Sequence, residues 1–124
     1  MNIDYRRVHH IQICIPVGME NEARMFYKDV LGFVEIEKPE ALKKNGGFWL
    51  KGTGIEIHIG VEKDVHPSKR HPAFEVGNID EARARLQHFN VQIKEETQIA
   101  GFDRFTFYDP FKNRIEFIQP KSVS

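Results

Sequence analysis

The amino-acid sequence predicts an α+β protein made of two βαβββ modules that curl a mixed sheet around a common trough. Three observations predict it. Several short runs alternate apolar and polar residues with the period of a half-buried strand. Two stretches with apolar residues at helical spacing each follow the first strand of a half. The order then repeats, partly in letters, at an offset of about 60 residues: Glu22-Ala23-Arg24 recurs as Glu81-Ala82-Arg83, and Ile55-Glu56-Ile57 as Ile115-Glu116-Phe117. A βαβββ unit cannot cover both faces of its sheet, so two copies have to share a surface.

Taken in order, Val8 to Pro16 reads as a strand with Ile11, Ile13 and Ile15 on one side and His10, Gln12 and Cys14 on the other. Glu20 to Leu31 carries Ala23, Phe26, Tyr27, Val30 and Leu31 at helical spacing, and Gly32 stands where a helix C-cap glycine belongs. Phe33 to Glu37 is a strand, and Pro39 and Asn45-Gly46-Gly47 mark a loop. Phe48–Lys51 and Ile55–Val61 form a hairpin across Gly52-Thr53-Gly54. The second half places strands at 71–77 and 91–96, a helix at 79–89, and a hairpin near 103–108 and 113–119. Asn90 matches Gly32 as a residue that tolerates the left-handed conformation. Asp109-Pro110-Phe111-Lys112-Asn113 supplies the last turn. Residues 1–124 thus read as a single domain with modules at about 6–62 and 70–120, joined by His66-Pro67-Ser68-Lys69-Arg70.

At 124 residues the chain can bury a sizeable core without staples. Its 18 basic and 18 acidic residues cancel, which leaves no electrostatic footprint for nucleic acid or an anionic membrane. A small molecule is the expected partner. Cys14 is the only cysteine, so no intrachain disulfide forms. With no apolar run long enough for a leader or a bilayer span, a cytoplasmic location is expected.

His10, His71 and Glu116 each fall on the polar face of an expected strand. Two imidazoles and a carboxylate are a competent donor set for zinc, manganese, iron, nickel or cobalt, with positions left for water or two substrate oxygens. Glu56 and His58 share a face about 6.6 Å apart by strand rise, and either offers a fourth donor. The repeat favours Glu56; His58 is as good a ligand chemically. Singly, these signals are weak. A histidine in a strand is more often a hydrogen-bonded or surface residue, and a glutamate more often solvated. Their coincidence on equivalent strands raises the odds. His9, on the opposite face, reads as structural, and His66 and His88 receive no role. Arg104, Thr106 and Tyr108 alternate with Phe105 and Phe107 and offer a cation, a hydroxyl and a phenol to an oxyanionic substrate; the plainer reading makes Arg104 a surface residue at a hairpin start. Gln12 and Cys14 fit as pocket walls, Cys14 as a small buried hydrophobe. Phe48 and Trp49 fit core, interface or ligand stacking.

The segments His10-Ile-Gln-Ile-Cys-Ile-Pro, Phe26-Tyr27-Lys28-Asp29-Val30-Leu31-Gly32-Phe33, Arg70-His71-Pro72-Ala73-Phe74-Glu75-Val76 and Asp109-Pro110-Phe111-Lys112-Asn113-Arg114-Ile115-Glu116-Phe117 resemble, in order, the landmarks of the vicinal-oxygen-chelate superfamily, the glyoxalase, bleomycin-resistance and extradiol dioxygenase type. The resemblance implies a glyoxalase-like fold. It also implies that His10, His71 and Glu116 are metal ligands, with Glu56 where lactoylglutathione lyases place their remaining carboxylate and His58 where many relatives carry a histidine. Pro72 after His71 departs from the pattern by removing a backbone donor. Further implications are a divalent metal ion as cofactor, a homodimer that pairs modules across subunits, and Glu116 or Glu56 as catalytic base. The expected function is a metal-dependent enzyme acting on a small oxygenated metabolite or xenobiotic, isomerase or lyase before dioxygenase or transferase. The alternative is a metal-free binding protein that sequesters an antibiotic or other small molecule, since a fold does not choose its chemistry.

Overall fold

In the computed structural model, which describes residues 1–122, the chain runs through β1 (Ile11–Pro16), α1 (Glu20–Arg24), β2 (Val34–Ile36), β3 (Phe48–Gly52) and β4 (Ile55–Glu62). It continues through β5 (Ala73–Glu75), α2 (Ile79–His88), β6 (Ile93–Glu95), β7 (Phe102–Tyr108) and β8 (Arg114–Pro120). The first four strands form a sheet in the order β1-β4-β3-β2 and the last four a sheet in the order β5-β8-β7-β6. β1 is parallel to β4 and β5 to β8, and the hairpin pairs are antiparallel. Both halves therefore share one βαβββ topology, as the repeat predicts, and the mixed sheet is divided into two four-stranded pieces.

Helix ends follow the capping residues. Asn78 accepts a hydrogen bond from the Glu81 amide at the start of α2, and Asp80 and Glu81 place acidic groups at the positive end of its dipole. The expected helix over 20–31 is α1 followed by a wider, π-helical stretch over Met25–Val30, with the Leu31 amide donating to the Phe26 carbonyl at 2.9 Å. That stretch buries the adjacent Phe26 and Tyr27 together. Gly32 (φ 83°) and Asn90 (φ 60°) both take the left-handed conformation that ends the helical path.

The two first strands start later than their sequence patterns suggest. β1 begins at Ile11, so His9 and His10 lie in the segment that precedes it. β5 begins at Ala73, since Pro72 has no amide to donate; its carbonyl still accepts from the Glu116 amide at 3.0 Å. His71 is thus tied to the β8 register despite the proline.

The buried side chains form one cluster that spans both halves. Ile13, Ile15, Leu50, Ile57 and Ile59 contribute from the first sheet, and Phe105, Phe107, Ile115 and Phe117 from the second. Phe26 and Phe107 meet across the halves with ring centroids 6.3 Å apart, a separation within the attractive range for tilted aromatics. Arg24 repeats as Arg83 in function as well as in letters: Arg24 reaches Glu35 on β2 and lies over Phe48, and Arg83 reaches Glu95 on β6 and lies over Phe105. Tyr27 donates to Asp109 at 2.7 Å, and Asn113 donates both to Asp109 and to the Cys14 carbonyl on β1. The turn before β8 is thereby tied to the helix and to the first strand of the other module.

Candidate metal and substrate site

On the first sheet, parallel pairing sets Ile11 beside Ile57 and Gln12 beside His58, and β3 sets Trp49 beside His58 and Lys51 beside Glu56. Alternation then puts Gln12, Cys14, Trp49, Glu56 and His58 on the face opposite the apolar core. His58 is held between Trp49 and His10, each ring 3.8 Å away and nearly parallel, with its side chain 10% exposed. A buried imidazole needs a polar partner, and His58 Nε2 finds Glu56 Oε2 at 2.8 Å. This hydrogen bond holds the Glu56 carboxyl below the usual carboxylate range, with further help from the charges of His58, His9 and His10. Gly60 leaves room for Gln12, since a Cβ there would meet the Gln12 carboxamide at 2.5 Å. Burial pushes the half-buried Cys14 thiol up, away from nucleophilic use.

On the second sheet, Glu116 lies beside Ala73 and Thr106, Arg104 beside Ile118, and Tyr108 beside Arg114. Glu116 is buried although it faces away from the phenylalanine core. His71 Nδ1 lies 2.9 Å from the Lys69 carbonyl, and His71 Nε2 lies 3.0 Å from Glu116 Oε1. A carbonyl only accepts, so Nδ1 carries a proton; Nε2 donates to the carboxylate in the charged ring and turns a lone pair toward it in the neutral one. Two acceptors facing each other at this distance require a proton or a cation between them. Cis donors at about 2.1 Å from one ion stand roughly 3.0 Å apart, so the pair fits a shared divalent metal. The carbonyl behind Nδ1 is the orienting partner that metal-bound histidines commonly have.

Arg104 Nη1 lies 3.4 Å from the same Glu116 oxygen, and its other nitrogens donate to the Thr97 carbonyl. Its side chain is only 16% exposed, which replaces the reading of Arg104 as a surface residue. Beyond Thr106, Glu96 accepts from the Thr106 hydroxyl at 2.7 Å and from Arg114 at 3.0 Å. The Thr106 bond leads in holding Glu96 below the usual range, and Arg114 adds to it against partial burial. Tyr108 is exposed at the rim.

The structure joins His71 to Glu116 and Arg104, and His10 to Glu56 and His58. It does not gather His10, His71 and Glu116 into one compact donor set within the chain: among the described residues, the three-donor group within 4.8 Å of one another is His9, His10 and Glu56. The two groups open onto grooves at the seam between the sheets. A groove of about 520 Å³ has Gln12, His71 and Arg114 in its walls, and one of about 470 Å³ has His9, His10 and Glu56. Sequence reasoning set His9 aside because it extended the strand alternation through position 9. With the pleat starting at Ile11 that alternation does not apply, and His9 Nδ1 comes within 3.0 Å of His10 Nδ1. The Lys69 carbonyl and Glu96 were also missed: the first is a backbone atom, and the second ends an expected strand with no motif to mark it.

The family model described as Glyoxalase/Bleomycin resistance protein/Dioxygenase superfamily matches residues 7–117. Glyoxylase I 4 of Arabidopsis thaliana is 28% identical over 115 residues, covering 83% of this chain and 66% of that protein, so the chain spans just under two thirds of its relative's length. A crystal structure of a glyoxalase family protein from Bacillus anthracis is 45% identical, with a TM-score of 0.92 over 98% of this chain and 100% of that one. At 19% identity, the fosfomycin resistance protein FosX of Listeria monocytogenes, solved with Mn(II) and sulfate, shares the fold at a TM-score of 0.76 over 95% of this chain and 93% of that one. An antibiotic binding protein from a Streptomyces species does so at 21% identity and a TM-score of 0.73, over 95% and 100%. Two βαβββ halves, polar inner faces carrying histidines and carboxylates, and a model match across nearly the whole length lead to one statement: the chain belongs to the glyoxalase/bleomycin resistance protein/dioxygenase superfamily.

Proposed function

We propose that this protein is a metal-dependent enzyme of the glyoxalase type that acts on a small oxygenated metabolite or xenobiotic by isomerase or lyase chemistry. One observation carries the reading: His71 Nε2 and Glu116 Oε1 face each other at 3.0 Å, with His71 Nδ1 engaged by a carbonyl. His10 joins them, with a fourth donor from Glu56 or His58. A divalent ion held there, whether zinc, nickel, manganese, iron or cobalt, would polarise two neighbouring substrate oxygens and stabilise the negative charge that develops on them. Glu56 or Glu116 accepts a proton from carbon; the lowered pKa of Glu56 keeps it ionised while weakening it as a base. Gln12, Arg104 and Tyr108 orient the substrate, Arg104 by countering negative charge.

Because His10 lies with Glu56 rather than with His71 and Glu116, the complete set is assembled by pairing the first module of one subunit with the second module of another in a homodimer. The FosX complex with Mn(II), the same fold in a resistance protein, supports a metal-bound reading of such a site. Metal content of protein purified without chelators tests it. The expected result is about one divalent ion per chain, lost together with activity on Glu116→Gln.

A second reading, a metal-free protein that sequesters an antibiotic or similar small molecule, is favoured by one contact. Arg104 stands 3.4 Å from Glu116 and already supplies that carboxylate with a cation. It shares its fold with the Streptomyces antibiotic binding protein. Wild-type protein free of stoichiometric metal would select it.

A further inference from the structure

The first module carries a donor set that does not depend on the second. His9 Nδ1 and His10 Nδ1 lie 3.0 Å apart, and a Glu56 oxygen completes a group whose atoms all fall within 4.8 Å of one another. Tetrahedral donors near 2.1 Å from one ion would stand about 3.4 Å apart, so closure asks for up to about 1.4 Å of movement. His9 is an exposed side chain ahead of β1 and has that freedom, while the His10 ring stays stacked on His58.

We propose that His9, His10 and Glu56 form a divalent transition-metal site held by the first module alone, with His9 as a ligand of this site only. It rests on the proposed function only in sharing His10 and Glu56 with the composite site, and it adds a binding mode that needs no partner module.

Four features beyond proximity support it. Glu56 is aimed by His58, whose Nε2 sits 2.8 Å from Glu56 Oε2, while the Trp49 and His10 rings hold His58 from both sides. This is the outer-shell arrangement that orients a ligating carboxylate. Among the described residues the ion-pair partner of Glu56 is His58, so no guanidinium has to leave, whereas Arg104 stands on Glu116. Two imidazoles and one carboxylate suit zinc, cobalt or nickel and leave positions for water. Because the site opens onto the 470 Å³ groove, an ion can enter from solvent. A chain whose partner module is absent would load metal here and then offer His10 and Glu56 with the ion already in place.

The test is Co²⁺ titration of the full chain, followed by visible absorption and calorimetry, in a His71→Ala/Glu116→Gln double variant. The expected result is about one equivalent of Co²⁺ with a ligand-field band, and affinity weakened roughly tenfold or more when His9→Ala is added. His9 is exposed, so its loss should leave the far-ultraviolet circular dichroism unchanged and isolate the metal effect. A double variant that binds no Co²⁺, or binds it equally well without His9, overturns the proposal. In the first case the composite site stands if the wild type still binds. If the wild type and the double variant bind identically and through His9, the module site stands and the composite reading falls.

Discussion

At the scale of single residues, the buried Tyr27–Asp109 contact is the most consequential interaction outside the candidate site. The Asp109 carboxylate accepts from the Tyr27 hydroxyl, from the Asn113 amide side chain, and from the backbone amides of Phe111 and Asn113. Removing one donor from a buried charged acceptor costs about 1–3 kcal/mol, so Tyr27→Phe should lower the urea midpoint by a corresponding amount with an unchanged slope. Burial pushes the Tyr27 phenol well above its ordinary value, and the Asp109 charge adds to the effect. A pKa raised in the folded state means that the associated stability is intact below about pH 10, the unfolded value, and is lost as pH rises beyond it. Thermal melts across pH 8–11 should therefore fall less steeply for Tyr27→Phe than for wild type. The same scale explains what the sequence could show of the site. The polar faces of β1, β4 and β8 were legible because period two assigns faces without any tertiary information. The orientation of His71 was not, since it depends on a carbonyl two residues away whose direction no residue type encodes.

At the scale of elements, the loop before β3 has one position with no alternative residue. Gly47 sits at φ 79°, and an added Cβ would run into the Ile59 carbonyl of β4. Gly47→Ala combines left-handed strain with a backbone collision, and a destabilisation of about 2–4 kcal/mol is expected by urea denaturation. The Asn45-Gly46-Gly47 signal marked the loop in the sequence, although the closeness of β4 that makes the glycine necessary lies across the sheet. Helix boundaries behaved similarly. Gly32 and Asn90 located the ends because capping is a local conformational preference, yet the π-helical path over Met25–Val30 left no periodicity distinct from an ordinary helix. Pro72 in turn shortened β5, and the Pro72 carbonyl still held the register that brings His71 to Glu116.

At the scale of the whole molecule, the separation of two donor groups is the central observation. Each half carries histidine and carboxylate donors, and the chain keeps the two sets apart as His10 with Glu56 and His71 with Glu116. If subunit pairing completes the site, sedimentation at low concentration should give a dimer, and dilution below its dissociation constant should release metal and abolish activity together. A monomer that retains metal at the His71–Glu116 pair would contradict that arrangement. The shared core, with Phe26 against Phe107 and the Tyr27–Asp109 bond, predicts in addition that the two modules of one chain unfold in a single transition.

By itself the sequence determined the repeat, the alternation of the strands, the helix ends and the residue types able to bind metal. These follow from preferences that act over a few residues: pleating, capping, turn chemistry and ligand affinity. Only the tertiary structure decided that His58 lies between Trp49 and His10, that His9 joins His10 and Glu56, and that His71 turns Nε2 toward Glu116 beside Arg104. Those outcomes depend on how two sheets dock and which rotamers the docking permits, and small energy differences between distant groups settle them, beyond the reach of any local pattern.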